Sequence, residues 1–379
     1  MYISGCSNTP SLKPLKPIYK PMFLDEKFKN FELVTIESEQ YVFALDDEMK
    51  DMVAKKLKTE RDIKKRALKL VKHIFNNEGI SLSYKSHANI SAREAYHNHA
   101  ANCLSLTIMA YALAKEADIN VKFQQVKTPE YWVRNGQYNL LTGHVNLLVK
   151  DKHSLGKTVV WGENDFQIDF DPQASKSTFK RVTIDKSTVL AMFYNNKGAQ
   201  ALVNADYLSA YGYFKAAALI APNFSSTWAN IGVLYKLTNH LEEAETAYRY
   251  AISIDNNNLT ALENLAIILT QQQNIEEAQF IKRKLHLIRI NNPYYYALLA
   301  DEAYYRGQTK EAIKFYNKAI ALERRAHEFY YGLAKVYYHS GDITLAKKAL
   351  KKAITYNKTP NTEDVYIAKL NFLRRVPIK

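Results

Sequence analysis

The chain has 379 residues, 52 Lys and Arg against 38 Asp and Glu, and two cysteines, Cys6 and Cys103. At roughly 150 residues per domain the length predicts two or three domains, and a hydrophobic share of 47% is enough to build real cores, which excludes wholesale disorder. Two cysteines exclude a disulfide scaffold, and their spacing excludes any Cys-x-x-Cys motif; the net charge of +14 admits nucleic acid or an anionic surface as partner without demanding either.

Residues 1–21 hold Pro10, Pro14, Pro17 and Pro21 interleaved with Lys13, Lys16 and Lys20, the composition of an extended, solvated tether. Residues 22–186 read as an α+β domain. Within it, 47–76 place Met49, Met52, Val53, Leu57, Ile63, Ala67, Leu70, Val71 and Ile74 on one helix stripe, opposite a lysine-rich face that reads as solvated. Residues 103–116 are apolar almost all round, which predicts a buried helix. Strand-like runs follow at Val121–Val126, His144–Val149, Thr158–Trp161 and Phe166–Phe170. The long connection from Lys127 to Gly143 carries an Asn135-Gly136 turn signal, with Tyr131 and Trp132 as either the floor of a cleft or ordinary packing. No run of 18 apolar residues occurs, so no membrane-spanning helix is expected.

The second half repeats every 34 residues. Gly198, Gly232, Ala266, Ala300 and Ala334 form one column; Ala210, Ala244, Ala278, Ala312 and Ala346 a second; Ala217, Ala251, Leu285, Ala319 and Ala353 a third. Small residues at fixed spacing let paired helices approach closely, and Trp228, Leu262, Tyr296 and Tyr330 recur as large partners. The pattern is identified as the tetratricopeptide repeat: five copies within 187–360, then a capping helix at 361–379. The resemblance implies a protein or peptide ligand on a concave face rich in Tyr and Asn, among them Asn230, Asn264, Tyr296 and Tyr330.

Cys103 opens the buried helix, with Asn102 as N-cap candidate. A thiol in a first helical turn meets the positive end of the helix dipole, which favours an anionic sulfur. His144 opens a strand 41 residues later, and Asp169 and Asp171 end another. An acid that orients an imidazole, which in turn faces a thiol, is the logic of nucleophilic catalysis. The segments NISAREAYHNHAANCLSLTIMAYALAKEADINVKFQQV, HVNLLV and QIDFDP together resemble the bacterial transglutaminase-like cysteine-hydrolase superfamily, in the branch where this domain precedes tetratricopeptide repeats.

That resemblance implies a papain/transglutaminase-like α+β domain followed by an all-α repeat solenoid. It implies Cys103 as nucleophile, His144 as base, and Asp169 or, by an Asp-Pro match, Asp171 as acid. Oxyanion donors would be the Cys103 backbone with Asn98, Asn102 or His97. The reaction implied is peptidase, amidase or acyl-transferase chemistry without cofactor or metal; the alternative is a catalytically inactive adaptor at the cell envelope. His97-Asn98-His99 is too sparse for a zinc site. Nucleic acid is not expected as partner. Ile3-Ser4-Gly5-Cys6 resembles a bacterial lipobox, which implies lipid attachment at Cys6 and an envelope location, with the signal peptide truncated in this chain. An accidental match would leave the protein cytoplasmic.

Overall fold

The computed structural model describes residues 23–75, 83–84, 88–98, 100–128, 132–135, 138–141, 143–150, 166–170, 179–357 and 360–375. The chain divides into two compact units, residues 1–128 with 143–283 and residues 129–142 with 284–379.

The first unit opens with a strap, residues 23–38, that contains a 3-10 turn at Phe31–Leu33. Helices α1 (Glu39–Phe43) and α2 (Asp47–Met52) are capped by Ser38 and Asp46. A π-helical turn at Val53–Leu57 precedes α3 (Ile63–Phe75). The apolar stripe predicts one helix through 47–76, but the chain breaks it near Glu60. Asp62 Oδ1 accepts from Lys65 N–H at 2.8 Å and starts a new helix, while the Arg66 guanidinium donates to the carbonyls of Glu60 and Ala117, both at 2.8 Å. Polar side chains thus compete with the ladder and win.

Strand β1 (Ser83–Tyr84) pairs in parallel with β2 (Ala100–Ala101), flanking α4 (Ala92–Asn98). Ser91 and Glu94 close a reciprocal cap on α4, Ser91 N–H reaching Glu94 Oε2 at 2.8 Å. Then come α5 (Cys103–Glu116), β3 (Val121–Val126), β4 (Trp132–Asn135), β5 (Tyr138–Leu141), β6 (His144–Val149), β7 (Phe166–Ile168) and β8 (Arg181–Ile184). Strands β7, β6, β3 and β8 form, in that order, an antiparallel sheet packed by α5, while β4 and β5 form a hairpin of their own in the second unit. The run at 158–161 lies outside the described residues, as do Cys6, Tyr131 and Asp171.

Helical pairs follow: α6 (Lys186–Val203) with α7 (Tyr207–Ile220), α8 (Ser225–Leu237) with α9 (Leu241–Ile254), then α10 (Leu259–Gln271) and α11 (Ile275–Arg289). The sheet's core runs on into this part without interruption: Met109, Phe123, Leu147 and Ile168 share one apolar cluster with Val189, Phe193 and Ala217. The second unit contains α12 (Pro293–Tyr305) with α13 (Thr309–Leu322), α14 (His327–His339) with α15 (Ile343–Tyr356), and α16 (Pro360–Arg375), which packs on α15. The C-terminal half is thus a tetratricopeptide-like helical array, joined to an amino-terminal half of helices and a small sheet.

The small-residue columns have a direct steric cause. A methyl group added at Gly198 would lie 2.6 Å from the Phe214 ring, and one at Gly232 would lie 2.5 Å from the Tyr248 ring. A further column emerges only in three dimensions. Ala205, Asn239, Gln273, Gly307 and Gly341 all have positive φ, from 58° to 82°, at 34-residue intervals where the first helix of each pair ends. That left-handed residue lets the chain turn into the second helix.

The strap lies against α7 and α8. Phe28 stacks on Tyr211 at 4.3 Å between ring centroids, and Phe23 stacks on Trp228 at 5.8 Å. Asp25 accepts from Tyr211 Oη at 2.6 Å and pairs with Lys215 Nζ at 2.7 Å; Glu37 pairs with Lys197 at 2.9 Å. Burying one Phe is worth about 3 kcal/mol, so the strap fastens the first repeats to the sheet-bearing part.

Candidate functional site

The start of α5 is held from two sides. Asn102 caps it, its Oδ1 accepting from Ser105 N–H at 2.9 Å, and its Nδ2 donates to Asn89 Oδ1 at 3.4 Å. Asn89 Nδ2 in turn donates to the Phe193 carbonyl of α6 at 3.0 Å. On the other side, Thr107 Oγ1 lies 2.7 Å from the Cys103 carbonyl oxygen and 3.0 Å from that of Val145, fixing the first turn of α5 to β6. Cys103 sits between these anchors, half-buried, with Sγ 3.8 Å from the Gly143 carbonyl oxygen.

His144 opens β6 and is buried. Its Nε2 lies 2.7 Å from Asp169 Oδ1, and Cys103 is the other group that acts on the titration of the ring. Asp169 follows the last residue of β7, and its Oδ2 accepts from Asn146 Nδ2 at 2.8 Å. His144 and Asn146 are two residues apart on β6 and share a strand face. Burial of the His144 ring opposes its charge but is outweighed by the hydrogen bonds and charges of Asp169 and Cys103, so its pKa is pushed up to about 10. The ring is thereby biased toward its protonated form, with Asp169 as its hydrogen-bond partner.

The structure brings together Cys103, His144 and Asp169, three residues the sequence puts forward. Asp171, the alternative acid, and Cys6 lie outside the described residues. The Asn102 carboxamide oxygen is committed to the cap, and its Nδ2 donates to Asn89. Asn98 is exposed at the end of α4, and His97 pairs instead with Asp46 at 2.6 Å. Thr107 and Asn146 escape a reading of the sequence. The signals that point to them are a Thr one turn beyond the cysteine in an otherwise apolar helix, and a polar residue two positions after the histidine in an apolar strand.

On the repeats, Asn196, Asn230 and Asn264 occupy equivalent positions of α6, α8 and α10. Asn230 Nδ2 donates to Asn195 Oδ1 at 2.9 Å, and Asn196 Nδ2 donates to Asn89 Oδ1 at 3.4 Å. Lys236 donates to Asn264 Oδ1, and its burial lowers its pKa from the usual lysine range.

Comparison with known proteins agrees with this architecture in the second half. The tetratricopeptide repeat family pattern matches residues 225–258 and 327–360, and a further TPR repeat pattern matches 300–341. Protein O-mannosyl-transferase TMTC3 of Mus musculus is 27% identical over 162 residues, 39% of this chain and 18% of that protein. The TPR repeat-containing protein MJ1428 of Methanocaldococcus jannaschii is 36% identical over 76 residues, 20% of this chain and 13% of that protein. The chain therefore spans less than a fifth of either relative. The crystal structure of MamA protein is 18% identical and covers 45% of this chain and 94% of its own, with a TM-score of 0.26. The chain carries tetratricopeptide repeats, a helical scaffold suited to protein binding.

Proposed function

We propose that this protein is a scaffold whose repeats hold an extended segment of a protein partner. The observation that carries this reading is the column Asn196, Asn230 and Asn264, one carboxamide per repeat, with Lys236 beside it. Each carboxamide spends part of its bonding within the protein, Asn196 on Asn89, Asn230 on Asn195, and Asn264 on Lys236 and the Thr260 carbonyl. The second amide hydrogens and the Asn196 and Asn230 oxygens are the groups that would meet the C=O and N–H groups of a peptide backbone. The test is selection from a random peptide library on the full chain. Selected peptides should lose at least about tenfold in affinity to Asn230→Ala/Asn264→Ala, with the thermal melt unchanged. No selected peptide, or equal binding to the double variant, sinks the reading.

A second reading is favoured by one specific observation, the hydrogen bond to Asp169 of His144, the residue directly after Gly143, whose carbonyl meets the Cys103 thiol. In it the amino-terminal part is a papain/transglutaminase-like thiol domain acting on the protein that the repeats hold. Cys103 gives its proton to His144 and attacks a carboxamide carbonyl carbon as the thiolate, so that a C–S bond forms and the carbonyl π bond opens to an oxyanion. The proton on His144 passes to the leaving nitrogen as the C–N bond breaks, leaving a thioester. Water or an amine then attacks the thioester, His144 takes its proton, and sulfur departs. Asp169 holds the ring through Nε2 and balances its charge, and Asn146 holds Asp169. The Cys103 backbone N–H at the helix start is the candidate oxyanion donor. Incubating the full chain with a bound peptide should yield a thioester seen by mass spectrometry and absent from Cys103→Ala; unmodified Cys103 after prolonged incubation leaves the scaffold reading alone. An acyl group on Cys6 in the purified native protein, read by the same instrument, is the test of the lipid anchor and the envelope location.

A further inference from the structure

The positive charge of this chain is concentrated at one end. Residues 284–379 carry 18 Lys and Arg against 8 Asp and Glu, whereas residues 1–283 carry 34 against 30. Within the second unit the excess gathers on the second helices of two successive repeats. Helix α13 carries Lys310, Lys314 and Lys318 with Glu311 as its one acid, and α15 carries four lysines and no acid.

The arrangement is regular. Lys314 and Lys318 recur one repeat later as Lys348 and Lys352, and both helices bury their alanine columns on the opposite side, Ala312 and Ala319 in one, Ala346 and Ala353 in the other. The two repeats also hold these lysines alike: Lys318 Nζ lies 5.7 Å from the Tyr296 ring centroid, and Lys352 Nζ lies 5.4 Å from that of Tyr330. Lys310, Lys314, Lys318, Lys348, Lys351 and Lys352 are all exposed, and none forms an ion pair among the described residues. On α9, the equivalent helix two repeats before α13, the charges are instead Glu242, Glu243, Glu245 and Arg249. A solvated helix face ordinarily mixes both signs; here Glu311 is the one acid against seven lysines of the two helices.

We propose that the lysine face of α13 and α15 docks on an anionic lipid bilayer surface. Lysine is a compact point charge on a long apolar stem, suited to a diffuse negative surface, whereas recognition of individual phosphates in nucleic acid favours the forked geometry of arginine, which neither helix contains. Leu345, one turn before Lys348, is 37% exposed and adds an apolar contact at the headgroup level. The inference is independent of the chemistry at Cys103 and of any acyl group at Cys6.

The experiment uses the full chain with Cys6→Ser, so that acylation cannot contribute, and vesicles of phosphatidylcholine with or without about one third phosphatidylglycerol. Co-sedimentation is expected with the anionic vesicles alone and is expected to be lost at high salt, about 0.5 M, where screening is nearly complete. Lys314→Glu/Lys318→Glu/Lys348→Glu/Lys352→Glu should weaken it at least about tenfold, each lost lysine contributing severalfold. A control reversing Lys64 and Lys65 on α3 should bind as the parent does. The proposal is overturned if neutral vesicles bind equally, if the fourfold variant still binds, if the control loses as much, or if a 30-base-pair duplex competes the protein off the vesicles. Circular dichroism melts of all variants establish that they are folded.

Discussion

Replacing Asp169 by Asn removes the anion that holds a proton on His144, and the consequence can be worked out from the site. In the folded protein burial opposes the charged ring, but Asp169 and Cys103 outweigh it and raise its pKa to about 10, against about 6.5 in an unfolded chain. A raised folded pKa gives stability that is fully present below pH 6.5. Between pH 6.5 and 10 the folded state carries one more proton than the unfolded state, so that stability drains away as pH rises. At 1.36 kcal/mol per unit the contribution is roughly 3–5 kcal/mol, undiminished by solvent because His144 is 4% exposed. Urea unfolding at intervals from pH 6.5 to 10.5 should show wild type losing stability more steeply than Asp169→Asn, the difference being the share of this amount that Asp169 rather than Cys103 supplies. The variant's ring should hold its proton less tightly. Nitrogen-15 NMR of the imidazole reads the same proton directly. Parallel pH profiles for the two proteins, or a neutral His144 ring in wild type at pH 7, would refute the reasoning.

Three further outcomes follow from the packing. Gly332→Ala sets a methyl group 2.2 Å from the buried Tyr316 ring, whose hydroxyl is fixed to Asp301, and should cost about 1–3 kcal/mol in urea melts; Gly143→Ala, with open space around it, should stay within about 0.5 kcal/mol. Phe28→Ala should cost about 3–5 kcal/mol by the same assay, because the strap ring is buried against Tyr211 and Tyr235, and a loss below 1 kcal/mol would make the strap ornamental. Gln273→Gly should raise stability by about 1 kcal/mol, since glutamine holds a left-handed φ of 61° that glycine takes without strain.

The helical pairs were legible because their cause is local and periodic: a fixed spacing of small residues against large rings leaves its mark at every turn of the count. The order Cys103, His144, Asp169 was legible because each residue sits at the edge of an element with a clear apolar signature. The strap was not. Asp25 meets Lys215 across 190 positions, and nothing in residues 23–38 has a period that announces it. The break near Glu60 was hidden because the apolar stripe continues through it, while the deciding contact, Arg66 to the Ala117 carbonyl, is made 51 positions away. Asn102 was legible as a cap because a short polar side chain directly before an apolar helical run has one evident task.

Scaffold and enzyme part company at one thiol. The rate at which iodoacetamide alkylates Cys103 at pH 6, measured in the full chain with Cys6→Ser and again with His144→Ala, tests directly whether the imidazole contact activates the sulfur. A working thiol centre predicts alkylation many times faster than that of a free cysteine at the same pH, falling to the free rate or below it when His144 is removed. Equal slow rates in both proteins would contradict it and leave a binding scaffold with a half-buried, inert thiol.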